Sequence, residues 1–174
     1  MAPESNSVQT TASALEPAAQ GVDGVSYRQV AERDWPAVLA LRRQMVREID
    51  DLDVDERYPG WGQRFERFYQ ERLTADQAAF FLAERGADPI GMGAVYALVN
   101  HRSEIFLQRS AYVSNVYVVP PLRRRGIALN LTRLAVTWAR SRSCVVVRLR
   151  SSRMGRPLYV KAGFGPTEEM EFKL

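Results

Sequence analysis

Residues 116–131 join an apolar strand to an amphipathic helix through a short, strongly cationic turn. The run Val116–Val119 is apolar, two prolines follow it, and three arginines then precede Gly126. Proline ends the strand because it has no N–H to donate, and glycine lets the backbone approach a bound group closely. The helix that follows directs unpaired N–H groups and its positive dipole end at the same turn. The junction therefore predicts a site for a polyanion such as a diphosphate.

The composition is that of a single folded domain. The 174 residues are 46% hydrophobic, which is enough for one well-buried core. The formal net charge of +4 suits an acidic ligand without requiring a nucleic acid. No stretch reaches the length of a membrane span, and a single cysteine, Cys144, excludes an internal disulfide. We expect a soluble, cytoplasmic protein that binds neither nucleic acid nor membrane.

The N-terminal segment differs in composition from the rest of the chain. Residues 1–24 consist mainly of Ala, Ser, Thr, Pro, Gln and Gly, and they lack the cationic start and apolar stretch of a signal peptide. Such a segment buries too little apolar surface to offset the entropy of ordering it, so we predict a disordered tail. Residues 25–174 are predicted to form one domain.

Hydrophobic periodicity predicts alternating strands and helices along this domain. The predicted strands are Val25–Val30, Ala78–Ala83, Ile90–Val99, Tyr112–Val119, Cys144–Leu149 and Glu169–Lys173. Helices are predicted after Asp34 as N-cap, from Trp61, after Gly126, and from Pro157 to Gly163, with a loop over Asn100–Ser110. The almost unbroken apolar run at Cys144–Leu149 is typical of a strand that is buried on both faces. This order predicts an α/β fold with a mixed sheet and helices on its faces.

Two motifs, separated by one predicted helix and one predicted strand, resemble the signatures of a known family. Arg123–Ala128 reads Arg-Arg-Arg-Gly-Ile-Ala, which is similar to the Arg/Gln-x-x-Gly-x-Gly/Ala signature of the GNAT superfamily of N-acetyltransferases. Gly155–Phe164 contains Leu-Tyr followed by Gly-Phe and resembles that family's second signature. The resemblance extends from Val25 to Leu174. It implies a mostly antiparallel central sheet that is flanked by helices and splayed at the acetyl-CoA strand.

The resemblance implies acetyl-CoA as the acyl donor and assigns residues to its binding. The strand at Val116 would pair its backbone with the pantetheine arm, and the N–H of Val118 would stabilise the oxyanion. The arginine turn would hold the pyrophosphate, and Tyr159 would protonate the leaving thiolate. Ser152 stands where the family often carries an asparagine that contacts the cofactor. The expected cofactor-binding residues are Val116, Tyr117, Val118, Arg123, Arg124, Arg125, Gly126, Ile127, Ala128 and Ser152.

The sequence leaves open which group accepts the proton of the attacking amine. Glu48, near the end of the first long helix, and Glu104, in the loop after Asn100, are the candidate carboxylates. A water held by Ser114 and Asn115 is the alternative. Cys144 lies in a predicted buried strand and is a poor nucleophile. We therefore expect direct attack by a primary amine in a ternary complex, with no covalent enzyme intermediate.

The acceptor is expected to be a small-molecule amine. Two aromatic-rich helices near the N-terminus and the loop after Asn100 are placed to close over a compact pocket. The alternatives are a protein N-terminal or lysine acetyltransferase, a non-catalytic CoA-binding sensor and, less favoured, an arginine patch that binds nucleic acid. Edge strands near the C-terminus make a homodimer reasonable. No Cys and His cluster has metal-ligand spacing, so no metal is expected.

Overall fold

The structure of the chain, a computed structural model, describes residues 24–106 and 108–172. Five strands form one sheet in chain order: β1 (Val25–Gln29), β2 (Ala78–Arg85), β3 (Asp88–Leu98), β4 (Ser110–Val118) and β5 (Val146–Arg148). Neighbouring strands are antiparallel except β4 and β5, which are parallel. This mixed, mostly antiparallel sheet confirms the predicted fold class. The tail predicted over residues 1–24 lies, except for Gly24, outside the described residues.

The described residues also form six α-helices and two short 3-10 helices, at Glu32–Asp34 and Pro120–Leu122. The α-helices are α1 (Trp35–Asp50), α2 (Val54–Arg57), α3 (Trp61–Thr74), α4 (His101–Ile105), α5 (Ile127–Ser141) and α6 (Arg156–Lys161). The short helices α2 and α4 were not predicted. Each begins after a residue, Asp53 or Asn100, whose side chain accepts hydrogen bonds from the first-turn N–H groups. Within this part of the chain no helix is both long and apolar enough to cross a bilayer.

The two faces of the sheet carry separate apolar clusters. On one face, α1 and α3 cover an aromatic cluster in which Trp35 and Tyr69 each contact the ring of Phe80 edge-on. On the other face, α5 packs against β3 and β4, and Leu131 is fully buried there. A Cβ atom built at Gly93 would lie 3.2 Å from the Cβ of Leu131, so the glycine lets this helix approach the sheet closely. The start of α5 is thereby held next to the end of β4.

Strand β4 has an unpaired edge over its C-terminal half. It pairs with β5 only from Ser110 to Tyr112, so no strand among the described residues lies beside residues 113–118 on that side. The register with β3 shifts within this half, where Asn115 and Val116 lie opposite Gly93. Two residues opposite one form a β-bulge, and Asn115 adopts a left-handed backbone with φ of 54°. The splay predicted at this strand is thus present.

Near the C-terminus one strand is shorter and less buried than predicted, and another predicted strand is wrong. Strand β5 has three residues instead of the six of Cys144–Leu149, and Val145 and Val146 are exposed, so the run is not buried on both faces. No strand forms over Glu169–Phe172, where side-chain pairs with Arg148 and Arg150 replace ladder hydrogen bonds. Lys173 lies outside the described residues. An apolar run marks burial only where a second layer covers it, and here that cover is incomplete.

Asp34 stands immediately before α1 as predicted, but it does not cap that helix. Its carboxylate accepts a hydrogen bond from the N–H of Ala31 at 2.7 Å and forms an ion pair with Arg28 at 2.5 Å. Arg28 also pairs with Glu84 of β2 at 2.7 Å. Hydrogen bonding to the Arg28 guanidinium lowers the pKa of Asp34 to about 2. The network ties β1 and β2 to the start of α1.

Candidate active site

A cleft of about 380 Å³ opens beside the C-terminal half of β4. We call it the β4 cleft. Its walls are the unpaired edge of β4, the turn over residues 122–126, the first turn of α5, the segment 152–159 and the last turn of α1. Its lining residues are Glu48, Ile49, Val116, Tyr117, Val118, Leu122, Arg123, Arg124, Gly126, Ile127, Ala128, Ser152, Met154, Gly155, Pro157, Leu158 and Tyr159. All predicted site residues are therefore brought together except Arg125 and Glu104.

The turn before α5 has the backbone geometry of an anion site. Arg124 and Gly126 are both left-handed, with φ of 63° and 80°. The first N–H of α5 with a partner inside the helix is that of Asn130, which donates to the carbonyl of Gly126 at 3.0 Å. The N–H groups of Ile127 and Ala128 therefore have no partner within the helix. The first turn also carries no acidic residue, so its positive dipole end is not neutralised there.

The edge of β4 presents the backbone of Val118 to the cleft. The N–H of Val119 donates to the carbonyl of Ile90 on β3 at 3.0 Å. Since successive residues of a strand direct their N–H and C=O groups to opposite sides, those of Val118 point away from β3. The Nε of Arg123 indeed donates to the Val118 carbonyl from that side, at 2.8 Å. The N–H of Val118 is thus directed at the unpaired edge, as the oxyanion role requires.

Arg123 does not extend freely into the cleft. Its guanidinium forms a two-pronged ion pair with Glu48 of α1, in which Nη2 lies 2.7 Å from Oε2. Tyr117 donates its hydroxyl to the same carboxylate at 3.2 Å, and the guanidinium lies 5.5 Å from the Tyr117 ring centroid. Hydrogen bonding to Arg123 lowers the pKa of Glu48 despite partial burial. Arg123 therefore links α1 to the end of β4.

Arg124 lines the cleft beside Gly126, whereas Arg125 lies outside its lining. Glu104 is exposed on α4 and is likewise outside the lining of the β4 cleft. Helix α4 is a short capped helix in the segment that was predicted to be a loop. Hydrophobic periodicity did not predict this helix, and so it could not predict where the carboxylate of Glu104 lies.

Tyr159 lies on α6 and closes the far side of the cleft. Burial raises the pKa of its phenol to about 12, so the hydroxyl keeps its proton at neutral pH. Its ring packs edge-on against Phe164, with centroids 6.0 Å apart. A Cβ built at Gly155 would lie 3.1 Å from the Tyr159 ring, so the glycine accommodates this ring position. The hydroxyl of Ser152 accepts a hydrogen bond from the N–H of Gly155 at 3.1 Å and so helps to form the turn into α6.

Three side chains form a polar cluster at the β4 bulge, of which Ser114 and Asn115 were predicted and Tyr69 was not. The Tyr69 hydroxyl lies 2.8 Å from the Oγ of Ser114, and Asn115 donates its amide to that hydroxyl at 2.6 Å. Burial raises the pKa of Tyr69 to about 12. Adjacent strand residues normally face opposite sides, but the bulge lets Ser114 and Asn115 contact the same hydroxyl. The sequence signal for the bulge was an asparagine inside a predicted strand, because asparagine tolerates left-handed backbone.

Comparisons with known proteins agree with this geometry. The model of the acetyltransferase (GNAT) family matches residues 46–164, which is more than half of the chain. No curated protein is similar enough in sequence to match the chain. Among solved structures, a GCN5-related N-acetyltransferase from Ralstonia eutropha JMP134 is 25% identical, with a TM-score of 0.72 over 87% of this chain and 99% of that one.

Two further solved structures share the fold at lower identity. A predicted acetyltransferase from Clostridium acetobutylicum, solved with acetyl-CoA, is 22% identical, with a TM-score of 0.71 over 86% of this chain and 96% of that one. The aminoglycoside N-acetyltransferase AAC(6')-Iy, solved with a bisubstrate analogue, is 20% identical, with a TM-score of 0.68 over 86% of this chain and 97% of that one. The resemblance that the two sequence motifs carry is confirmed, and the chain belongs to the GNAT family of acetyltransferases.

Proposed function

We propose that the protein transfers the acetyl group of acetyl-CoA to a primary amine of a small molecule. One observation carries the proposal: the open N-terminus of α5 and the unpaired edge of β4 meet in the same cleft. A helix N-terminus suits a diphosphate, and an unpaired strand edge suits an extended amide chain. Acetyl-CoA carries both groups in one molecule. The family match supports the same donor.

The backbone of the arginine turn would hold the diphosphate of the donor. The N–H groups from Arg124 to Ala128 would face the phosphates, and the Arg124 side chain would add charge-assisted hydrogen bonds. The edge over Val116–Val118 would pair with the pantetheine arm. Arg123, which was predicted as a phosphate ligand, is better suited to fix the end of β4 through Glu48. Ser152 remains a predicted contact at the rim of the cleft.

The chemistry we propose is direct attack of the neutral amine on the thioester carbonyl carbon. A C–N bond forms, the C–S bond breaks, and the N–H of Val118 stabilises the oxyanion; one such donor contributes roughly 3–4 kcal/mol. Tyr159 gives its proton to the departing thiolate sulfur. Burial raises the pKa of the half-buried Cys144 thiol, which disfavours a covalent route through that residue. Both substrates are then bound together.

The base that accepts the amine proton stays a prediction. Glu48 is held by Arg123 with a lowered pKa, which makes it a weak base, and Glu104 lies outside the cleft. A water bound at the cluster of Tyr69, Ser114 and Asn115 is the route that we favour. Its donors and acceptors lie at the bulge, which precedes Val118 on the same strand.

We propose a small molecule as acceptor because a pocket of about 430 Å³ lies between α1, α2 and α3. The aminoglycoside acceptor of AAC(6')-Iy is consistent with that class, although the two chains share only 20% identity. A protein N-terminal or lysine acetyltransferase and a non-catalytic CoA sensor are the alternatives. We expect the enzyme in the cytoplasm and without a nucleic-acid partner, and a homodimer is compatible with the fold.

Two assays test the proposal. Calorimetric titration measures the binding of acetyl-CoA, with duplex DNA as a binding competitor. Thiol-release assays then use small amines and a lysine peptide as acceptors. The expected result is cofactor binding and thiol release with small amines only. Release with the peptide alone would favour the protein acetyltransferase. Binding without release on any acceptor would favour the sensor. Salt-sensitive DNA binding without CoA binding would overturn the small-molecule acetyltransferase, the protein acetyltransferase and the sensor alike.

A further inference from the structure

A larger cavity, of about 720 Å³, adjoins the β4 cleft at Tyr159. We call it the arginine cavity. Its charged lining residues are Arg148, Arg150, Arg156, Glu169 and Glu171. Tyr159 lines both this cavity and the β4 cleft, whereas the pocket between α1, α2 and α3 shares no lining residue with that cleft. The arginine cavity therefore borders the residue that gives its proton to the thiolate in the proposed mechanism.

Helix α6 places one arginine beside Tyr159. Arg156, Tyr159 and Val160 have the spacing i, i+3 and i+4, which puts them on one face of the helix, and all three line the cavity. Residues with this spacing have Cβ atoms about 5–6 Å apart, so one small molecule can contact both Arg156 and Tyr159. Among the described residues, Arg156 has no carboxylate partner. Its charge is therefore available to a ligand.

The other two arginines of the cavity are paired only with exposed carboxylates. Arg148 lies 3.5 Å from Glu169, and Arg150 lies 3.1 Å from Glu171. Both glutamates belong to residues 165–172, an exposed segment without regular secondary structure. Ion pairs in such a position contribute little to stability, because water screens them. An oxyanion that contacts two guanidinium groups at once can therefore replace these carboxylates.

The β4 wall of the cavity leads toward the proposed site of proton acceptance. Tyr112, which lines the cavity, lies two positions before Ser114 in the regular part of β4, so the two side chains face the same side of the sheet. Two residues of a strand span about 7 Å. Ser114 belongs to the polar cluster with Tyr69. The arginine cavity thus extends from the proposed acid, Tyr159, toward the cluster where we place the water that accepts the amine proton.

We infer that the arginine cavity binds the acceptor, and that the acceptor is an amine whose molecule also carries an oxyanion, either a phosphate or a carboxylate. The inference rests on the proposed function, because it places the amine between Tyr159 and the cluster at Ser114. Guanidinium groups bind both oxyanions through paired, charge-assisted hydrogen bonds, and Arg156 is placed to donate them. A neutral analogue of the same shape keeps the amine but loses these bonds.

Matched pairs of acceptors test the inference and distinguish the two oxyanions. The phosphate pairs are phosphoethanolamine beside ethanolamine and 4-aminobutyl phosphate beside 4-aminobutanol; the carboxylate pairs are β-alanine and γ-aminobutyrate, each beside its carboxamide. Arg156→Gln should raise KM for the preferred anionic acceptor by roughly 10- to 150-fold, equivalent to the loss of about 1.5–3 kcal/mol from a hydrogen bond to a charged group. KM for the neutral analogue and for acetyl-CoA should stay within about 3-fold, and Arg156→Lys should restore part of the affinity.

The matched control is Arg153→Gln, which should change none of these values. Arg153 is an exposed arginine of the same segment, and it lines neither the arginine cavity nor the β4 cleft. Equal effects of the Arg153 and Arg156 variants would reduce the result to a change in net charge and would overturn the inference.

A binding measurement separates failure of the inference from failure of the proposed function. Calorimetry titrates phosphoethanolamine, β-alanine and their neutral analogues into the complex of the protein with CoA. Anion-selective binding that depends on Arg156, without acetylated product, would support the inference and contradict the acetyltransferase activity. Equal acetylation of anionic and neutral amines, or an unchanged KM for anionic amines in Arg156→Gln, would overturn the inference alone. A rise in KM for acetyl-CoA that matches the rise for the acceptor would assign Arg156 to the donor and overturn it too. If no anionic amine binds or is acetylated, the inference is likewise overturned.

Discussion

Replacing Gly126 by aspartate should remove most of the affinity of the protein for acetyl-CoA and leave the fold intact. Gly126 precedes α5 with φ of 80°, and a Cβ built there meets no heavy atom within 4 Å. The new side chain would therefore enter the open space of the β4 cleft and not the core. Aspartate and asparagine tolerate left-handed backbone better than other residues with a Cβ, so the added strain is about 1 kcal/mol.

The expected loss of affinity follows from the charge of the new carboxylate. At an assumed separation of about 5 Å from one phosphate charge and an effective dielectric of about 20, the repulsion is roughly 3 kcal/mol. That free energy corresponds to a loss of about 100-fold or more in affinity. Gly126→Asn has nearly the same shape and backbone strain but no charge. Its loss of affinity should stay below about 10-fold, equivalent to less than about 1.4 kcal/mol.

Calorimetry with acetyl-CoA measures the dissociation constant, and thermal unfolding measures Tm. Gly86→Asp is the matched control, because Gly86 is also left-handed, with φ of 63°, and also faces open space. It lies in the turn between β2 and β3, outside the lining of the β4 cleft. Tm should fall by a similar amount in both aspartate variants, and only Gly126→Asp should lose affinity. Unchanged affinity in that variant, or equal losses for aspartate and asparagine, would refute a diphosphate site at this turn.

Three further predictions follow from single side chains. Glu48→Gln should raise KM for acetyl-CoA by less than about 10-fold with kcat nearly unchanged, because Glu48 positions Arg123; a fall in kcat of about 100-fold or more would instead identify it as the base. Tyr159→Phe should lower kcat by about 10-fold or more at neutral pH with KM for acetyl-CoA unchanged, because the phenol, whose pKa is about 12, keeps its proton and gives it to the departing thiolate. An unchanged kcat in this variant would remove Tyr159 from the mechanism. Asp34→Asn should lower the free energy of unfolding by roughly 2 kcal/mol at pH 7, because the native pKa of Asp34 is about 2 against 3.8 unfolded. That stability is present above the unfolded pKa and is lost as pH falls toward 2, so urea unfolding of the two proteins should converge there; a constant difference would contradict the Arg28 pair.

The donor half of the site could be predicted because its chemistry is local in sequence. A strand, a turn and a helix N-terminus within residues 116–131 line one side of the β4 cleft, and the motif at Gly155 lies in the opposite wall. Such contiguous elements need no knowledge of long-range packing. The order of α1, α3, β2, β3 and α5 was predicted for the same reason, since each has a clear period.

The acceptor half could not be predicted because it depends on contacts between distant residues. Arg123 turns to Glu48, which lies 75 positions away in the chain, and Tyr69 meets Ser114 across the sheet. The bulge at Asn115 alters which side chains share a face, and periodicity alone cannot locate a bulge. At the C-terminus, hydrophobic alternation predicted a last strand, but the ladder hydrogen bonds do not form through Phe172.

The fate of the acetyl group tests the central claim most directly. The protein is incubated with acetyl-CoA radiolabelled in the acetyl group, first alone and then with the acceptor panel, and the label is traced to protein, amine and water. Direct transfer in a ternary complex predicts no label on the protein at any time and, when a suitable amine is present, label in the amine in equal amount to the CoA thiol released. Label retained on the protein, or thiol release without labelled amine, would contradict it.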